Sequence, residues 1–288
     1  RSGIMTAMTE NDSETPTGGR PGRLLRTSDG RTYALPMFLP VYQRNRPLVR
    51  LDRWKRDCSV EGCIVNAYFL YKNRRLRKAF GEGLTLRDYT GTEGLLMTDS
   101  GAFQGFTRPL LLSNVKIVKF QEQIAADVAS PLDLVTPPGD GRRVAERKLE
   151  VTLKRVREAQ EHVSHSILAG VQQGGRFMDL RQESLEGLID CGVKYVALGS
   201  LVPFFTRNHN LEFVGRVLRE AVIPACREFS IPFALMIGVR RRVNPALGKA
   251  GDTVGSSDVS AVGRLCAEYP DVRFLSTVLS REDQHDLC

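Results

Sequence analysis

Residues 142–175 read RRVAERKLEVTLKRVREAQEHVSHSILAGVQQGG, and the fold turns on how that stretch divides. Ala145, Leu149, Leu153, Val156 and Val163 recur at helical spacing while Arg and Glu fill the opposite side, which predicts an amphipathic helix over residues 142–163. The apolar run Ile167–Val171 follows and gives way to Gln172-Gln173-Gly174-Gly175, the pattern of a strand that opens into a turn.

The same alternation extends in both directions. Strands are expected at Ala34–Val41, Cys63–Ala67, Gly94–Met97, Leu132–Val135, Tyr195–Leu198, Phe233–Ile237 and Thr253–Val254, and further helices at 179–191, 211–229 and 259–269. Strands alternating with helices of this length argue for parallel βαβ units, and about eight of them in some 250 residues fit a (β/α)₈ TIM barrel better than an open sheet. The expectation is a single α/β domain over residues 31–288. Residues 1–30 are rich in Ser, Thr, Gly, Pro and charge with little to bury, which reads as a flexible tail.

Composition narrows the function classes. Hydrophobic residues make up 42% and charged residues 26%, an ordinary globular balance. No apolar stretch is long enough to span a bilayer, so no membrane partner is expected. Six cysteines in 288 residues are too sparse for a disulfide scaffold, which points to a reducing cytoplasm. Cys58 and Cys63 are not joined by a second close pair, so no metal site is expected. The 41 basic against 33 acidic residues leave a formal charge of +8, which suits an anionic partner.

In a β/α barrel the chemistry gathers where strands end and lead into helices, so polar residues just after each apolar run are the candidates. These are Thr98-Asp99-Ser100-Gly101-Ala102-Phe103-Gln104, then Asp133 with Thr136-Pro137-Pro138, then Gln173-Gly174-Gly175, then Gly199-Ser200-Leu201-Val202-Pro203. An Asp-Ser-Gly triplet is commonly a turn and Gln-Gly-Gly a site of positive φ. Asp133 inside an apolar run is harder to explain that way, because a buried carboxylate is costly without a donor.

Together with Leu35-Pro36-Met37-Phe38-Leu39-Pro40-Val41 and Val65-Asn66-Ala67-Tyr68, these ordered segments resemble the tRNA-guanine transglycosylase family over roughly residues 35–265. The resemblance implies a (β/α)₈ barrel that removes guanine from a nucleic acid and installs a 7-deazaguanine through a covalent glycosyl-enzyme. It implies Asp99 as general acid/base, Asp133, Gln173, Gly174 and the backbone at Ser200 and Leu201 as the guanine-binding set, and Phe103 as a stacking face. The family's nucleophile is an Asp near the last strand; here the segment reads Gly251-Asp252-Thr253-Val254-Gly255-Ser256-Ser257-Asp258, with Gly255 at the overlaid position. Asp258 is the first choice if Thr253–Val254 is that strand, and Asp252 the second. The alternative is that Asp258 caps the following helix.

The family's Cys-x-Cys-x-x-Cys zinc pattern is not recognisable, so no cofactor is expected, and its absence favours the branch that modifies DNA. The other readings are a tRNA-guanine transglycosylase, a non-catalytic nucleic-acid-binding or partner subunit of the same fold, and a glycosidase acting on small nucleosides. Between Arg44 and Lys78 stand eleven Lys or Arg against three acidic residues. Arg74 and Arg75 there, with Arg240-Arg241-Arg242, are candidate phosphate contacts. The expected partners are nucleic acid, a free 7-deazaguanine base, and a second copy or a partner protein.

Overall fold

Apolar side chains at every second position make a strand two-faced, and here both faces are buried. The computed structural model of the chain describes residues 23–35, 37–42, 53, 56, 60, 62–106, 110–137, 139–198, 208–237, 239–240, 253–254, 258–278 and 283. Strands β1 (Arg23–Arg26) and β2 (Thr32–Leu35) form an antiparallel hairpin. A curled parallel sheet then takes up β3 (Met37–Phe38), β4 (Val41–Tyr42), β5 (Gly62–Asn66), β6 (Leu95–Asp99), β7 (Val128–Ala129), β8 (Ile167–Gln172), β9 (Tyr195–Leu198) and β10 (Phe233–Ile237). Strands β11 (Val239–Arg240) and β12 (Thr253–Val254) pair with each other, and β13 (Phe274–Val278) returns to the sheet beside β10.

The two edges of that sheet meet in one short segment. Strand β3 pairs with β13 while β4, two residues further on, pairs with β5. The bridging residues bond in both directions: Leu39 N donates to Ser276 O at 3.1 Å and Ile64 N donates to Pro40 O at 2.9 Å. This arrangement is TIM-barrel-like.

Side-chain alternation separates two cores. Leu39, Ile64, Leu95, Val128, Ile167, Ala169 and Leu275 fill the interior with Leu25 and Tyr33 of the hairpin. Cys63, Val65, Leu96, Leu168, Val196 and Phe233 face the helices. Those are α1 (Ala67–Lys72), α2 (Arg74–Gly81), α3 (Leu86–Thr90), α4 (Asn114–Gln123), α5 (Arg142–Gln160), α6 (Met178–Asp190), α7 (Asn208–Val217), α8 (Ile223–Glu228) and α9 (Ser260–Glu268), a π-helical stretch over Leu218–Val222 joining α7 to α8. Helix α5 buries Ala145, Leu149, Leu153 and Val156 as its spacing predicts; it ends at Gln160, short of Val163.

Three expectations are corrected. Residues 23–30, assigned to a tail, form β1 and its turn, because Leu25 is buried in the interior core; residues 1–22 lie outside the described residues. The fourth barrel strand is Val128–Ala129 rather than Leu132–Val135. In the latter segment Leu132 N donates to Asn114 Oδ1 (3.0 Å), Leu134 N to Thr152 Oγ1 (3.0 Å) and Thr136 N to Gln173 Oε1 (3.1 Å), so side chains stand in for a ladder. Thr253–Val254 is antiparallel to β11, and the final barrel strand is Phe274–Val278.

The hairpin is locked to the barrel's N-terminal end by one buried charge. The fully buried Asp127 carboxylate accepts from Arg87 Nη2 at 2.8 and 2.7 Å, from Leu96 N at 2.8 Å and from Arg31 of the hairpin at 3.3 Å. Removing a partner leaves a buried charge uncompensated, which costs far more than an exposed pair contributes. Arg87→Ala should therefore lower unfolding free energy by about 3–5 kcal/mol. Arg31→Ala, at the half-exposed end, should lower it by no more than about 1 kcal/mol in urea titrations.

Candidate active site

Counting by two along β6 from the interior Leu95 puts Met97 and then Asp99 inside the ring at its C-terminal mouth. The register pairs Asp99 with Asn66, the last residue of β5. Asn66 Nδ2 donates to Asp99 Oδ2 at 2.6 Å and Gly101 N donates to Oδ1 at 3.1 Å. Asn66 Oδ1 accepts from Phe69 N at 3.2 Å in capping α1, which fixes the amide with its NH₂ toward the carboxyl. Gly101 has φ +79°, and a Cβ there would stand 2.3 Å from Tyr68 Cβ, so only glycine passes. Asp99 keeps some accessible surface at the mouth, yet the protein around its carboxyl raises its pKa; the bonds from Gly101 and Asn66 oppose that burial.

Asp133 follows the end of β7. Gln173, fully buried just beyond β8, donates from Nε2 to Asp133 Oδ2 at 2.6 Å, and its Oε1 accepts from Thr136 N. Both ends of the Gln173 amide are therefore assigned. Burial pushes Asp133 up to about 7, and the neighbouring Asp99 charge adds to that, whereas a backbone bond and Arg155 act against it. Asp99 ends β6 and Asp133 follows the neighbouring parallel β7, so both stand at the C-terminal end of the ring. Arg155 reaches the same loop, donating to Leu132 O at 3.2 Å. Gly174 has φ +119°, and a Cβ on it would meet the Arg181 backbone nitrogen at 2.8 Å.

Of the residues expected from sequence, Asp99, Asp133, Gln173 and Gly174 are thus gathered at one end of the ring. Phe103 is in the 3₁₀ turn Ala102–Phe106 directly after Asp99, partly buried. Asp258 is exposed just before α9, and its carboxylate accepts from Ser260 Oγ and from Arg264 Nη2 at 2.6 Å. Those bonds hold its pKa below the usual carboxylate range, and the residue serves the start of the helix. The strand it was expected to follow is a hairpin arm and not a barrel stave. Asp252, Ser200, Leu201, Arg241 and Arg242 lie outside the described residues. Arg240 is on β11, and Arg74 and Arg75 are exposed in the first turn of α2.

Asn66 was the residue that sequence reading quoted without a role, although it too is polar at the end of an apolar run. Cys63, Cys191 and Cys226 are buried on different elements, and burial drives the thiols of Cys63 and Cys226 to about 12. No helix among the described residues is long and apolar enough to cross a membrane.

The mouth of this β/α ring holds two partly buried carboxyls, Asp99 and Asp133, and the oriented amide of Gln173. The profile of the family described as Queuine tRNA-ribosyltransferase matches residues 15–223. The tRNA-guanine(15) transglycosylase of Methanopyrus kandleri is 38% identical over 202 residues, covering 69% of this chain and 43% of that protein. Those of Methanosarcina barkeri and Methanothermobacter thermautotrophicus are each 34% identical, over 68% and 69% of this chain and 40% and 30% of theirs. The chain belongs to the tRNA-guanine transglycosylase family, and it spans less than half the length of these relatives.

The raised Asp133 pKa gives a stability test. A folded-state pKa above the unfolded value of 3.8 means that the protonated carboxyl favours the folded state at low pH, a contribution lost as pH rises toward about 7. Asp133→Asn should remove that loss, so that at pH 8 the variant is more stable than the parent by on the order of 1–2 kcal/mol. At pH 4 the two should unfold at similar denaturant concentrations.

Proposed function

We propose that this chain carries out guanine exchange in tRNA. The observation that supports it is the presence of Asp99 and Asp133 at the same end of the ring, with Gln173 bonded to the second. Guanine presents a ring N–H and an amino group on one edge, and Asp133 is the acceptor for them once ionised; Gln173 sets that carboxylate's orientation and supplies a donor beside it. A base lacking those groups would leave the buried acceptor unpaired, which is the basis of selectivity.

A carboxylate attacks C1′, the C1′–N9 bond breaks, and guanine departs with the proton that Asp99 delivers. The incoming base gives its N9 proton back to Asp99 and its nitrogen displaces the carboxylate from C1′, restoring both acids. The raised pKa of Asp99 suits a group that both donates and accepts. With Asp258 held by Arg264, Asp252 is the acid that this reading assigns to the attack. Arg74 and Arg75, exposed on α2 with Arg77 and Lys78, are assigned to phosphates. A target base inside a helical stem must be turned out before C1′ can be reached.

The preference for DNA expected from the missing zinc pattern gives way to tRNA, since each of the three relatives is named for it. The second reading, a binding subunit without catalysis, is favoured by one observation: the ion pair that occupies Asp258.

Labelled guanine offered with tRNA, single-stranded DNA and duplex DNA should enter tRNA alone; label in DNA and not in tRNA would reverse the assignment. A covalent protein–tRNA adduct trapped in the parent and lost in Asp252→Asn separates enzyme from binding subunit. Affinity for free guanine should increase as pH rises through about 7, where Asp133 ionises, and Asp133→Asn should abolish binding. Arg74→Glu with Arg75→Glu should weaken tRNA binding and lower the dependence of log Kd on log salt by roughly one to two.

A further inference from the structure

Arg181 is the largest fully buried side chain among the described residues, and it lies near the start of α6, just after the turn that follows β8. Its Nε donates to Gly175 O at 2.9 Å and its Nη1 to Gln172 O at 3.3 Å. Gln172 answers by donating from Nε2 to Arg181 O at 2.9 Å. One turn further along α6, Ser184 Oγ accepts from Gln173 N at 2.9 Å. The guanidinium thus grips the two carbonyls that flank Gln173-Gly174, and those two residues, one fully buried and one at φ +119°, are where the chain crosses into the site.

We infer that Arg181 is a positioning residue for base recognition: by tying Gln172 O and Gly175 O to α6 it sets where the Gln173 amide meets Asp133. The inference rests on the guanine-exchange reading and adds to it the part of the fold that fixes specificity. A planar guanidinium can address two carbonyls with separate N–H groups in a fixed fork, which an ammonium on a flexible stem cannot do. The fold also keeps this cation at a cost, since burial lowers its pKa to about 9. Gln173 has no slack, being bonded at its backbone nitrogen, Oε1 and Nε2. A shift of the 172–175 turn therefore moves the Asp133 partner directly. Arg181 and Ser184 bond to the backbone of the 172–175 turn, so their effects are expected on how well the base is read and not on bond breaking.

The test compares Arg181→Lys and Arg181→Leu with the parent, in guanine exchange on tRNA and in direct binding of free guanine. Arg181→Leu should raise KM for guanine about ten- to a hundredfold, with KM for tRNA within twofold and kcat little changed. Arg181→Lys, which keeps a donor for one carbonyl, should recover part of the loss. Hydrogen exchange should quicken at the Gln173 amide in both variants and stay unchanged on β5 and β6. If Arg181→Leu does not fold, the Lys variant and its exchange pattern decide. Guanine KM within twofold of the parent in the folded variants, or a fall in kcat alone, would overturn the inference. A parent that neither binds nor exchanges guanine would instead overturn the functional reading on which it stands.

Discussion

A carboxyl group withdrawn from water must find donors or take up a proton, and the molecule answers that demand differently at the two ends of its barrel. At the closed end Asp127 meets two guanidinium groups and a backbone N–H and works as a rivet between hairpin and sheet. At the open end Asp99 and Asp133 accept from amides, of Asn66, Gly101 and Gln173, with Arg155 near the second. Amides orient a carboxyl without neutralising it, and both of these acids hold their protons more tightly than a carboxyl in water. The acid that ties hairpin to sheet is matched with cations, and the two acids at the mouth are held by amide hydrogen bonds.

How much of this the chain discloses in one dimension depends on whether the relevant contacts are local. The stretch from Arg142 to Gly175 is self-contained: its helix stripe, strand and glycine turn each sit within a dozen residues, and all three are found where expected. Asp99 is equally legible, being the polar end of an apolar strand. The segment after Leu132 is misread because its apolar residues are braced by Asn114, Thr152 and Gln173, and nothing in the local pattern distinguishes such bracing from a sheet ladder.

The late part of the chain is harder for a related reason. Thr253–Val254 has strand composition, but its partner is the neighbouring β11, while the true closing strand Phe274–Val278 pairs with Met37–Phe38 at the other end of the chain. Deciding between them requires knowing which pairing wins in three dimensions. Asp258 follows that hairpin arm in the chain. Its own surroundings, Ser260 and Arg264 on the adjoining helix, are local and match the capping alternative that the sequence already contained.

The segment from Met37 to Tyr42 bears on how the molecule comes into being. Its first two residues await Phe274–Val278, far along the chain, and its last two await Gly62–Asn66, made soon after them. On the ribosome, the β4 side can engage as soon as Gly62–Asn66 emerges, whereas β3 has an unsatisfied edge until Phe274–Val278 is released. The nascent protein therefore carries an open sheet margin until Phe274–Val278 emerges, a template for non-native pairing in the meantime.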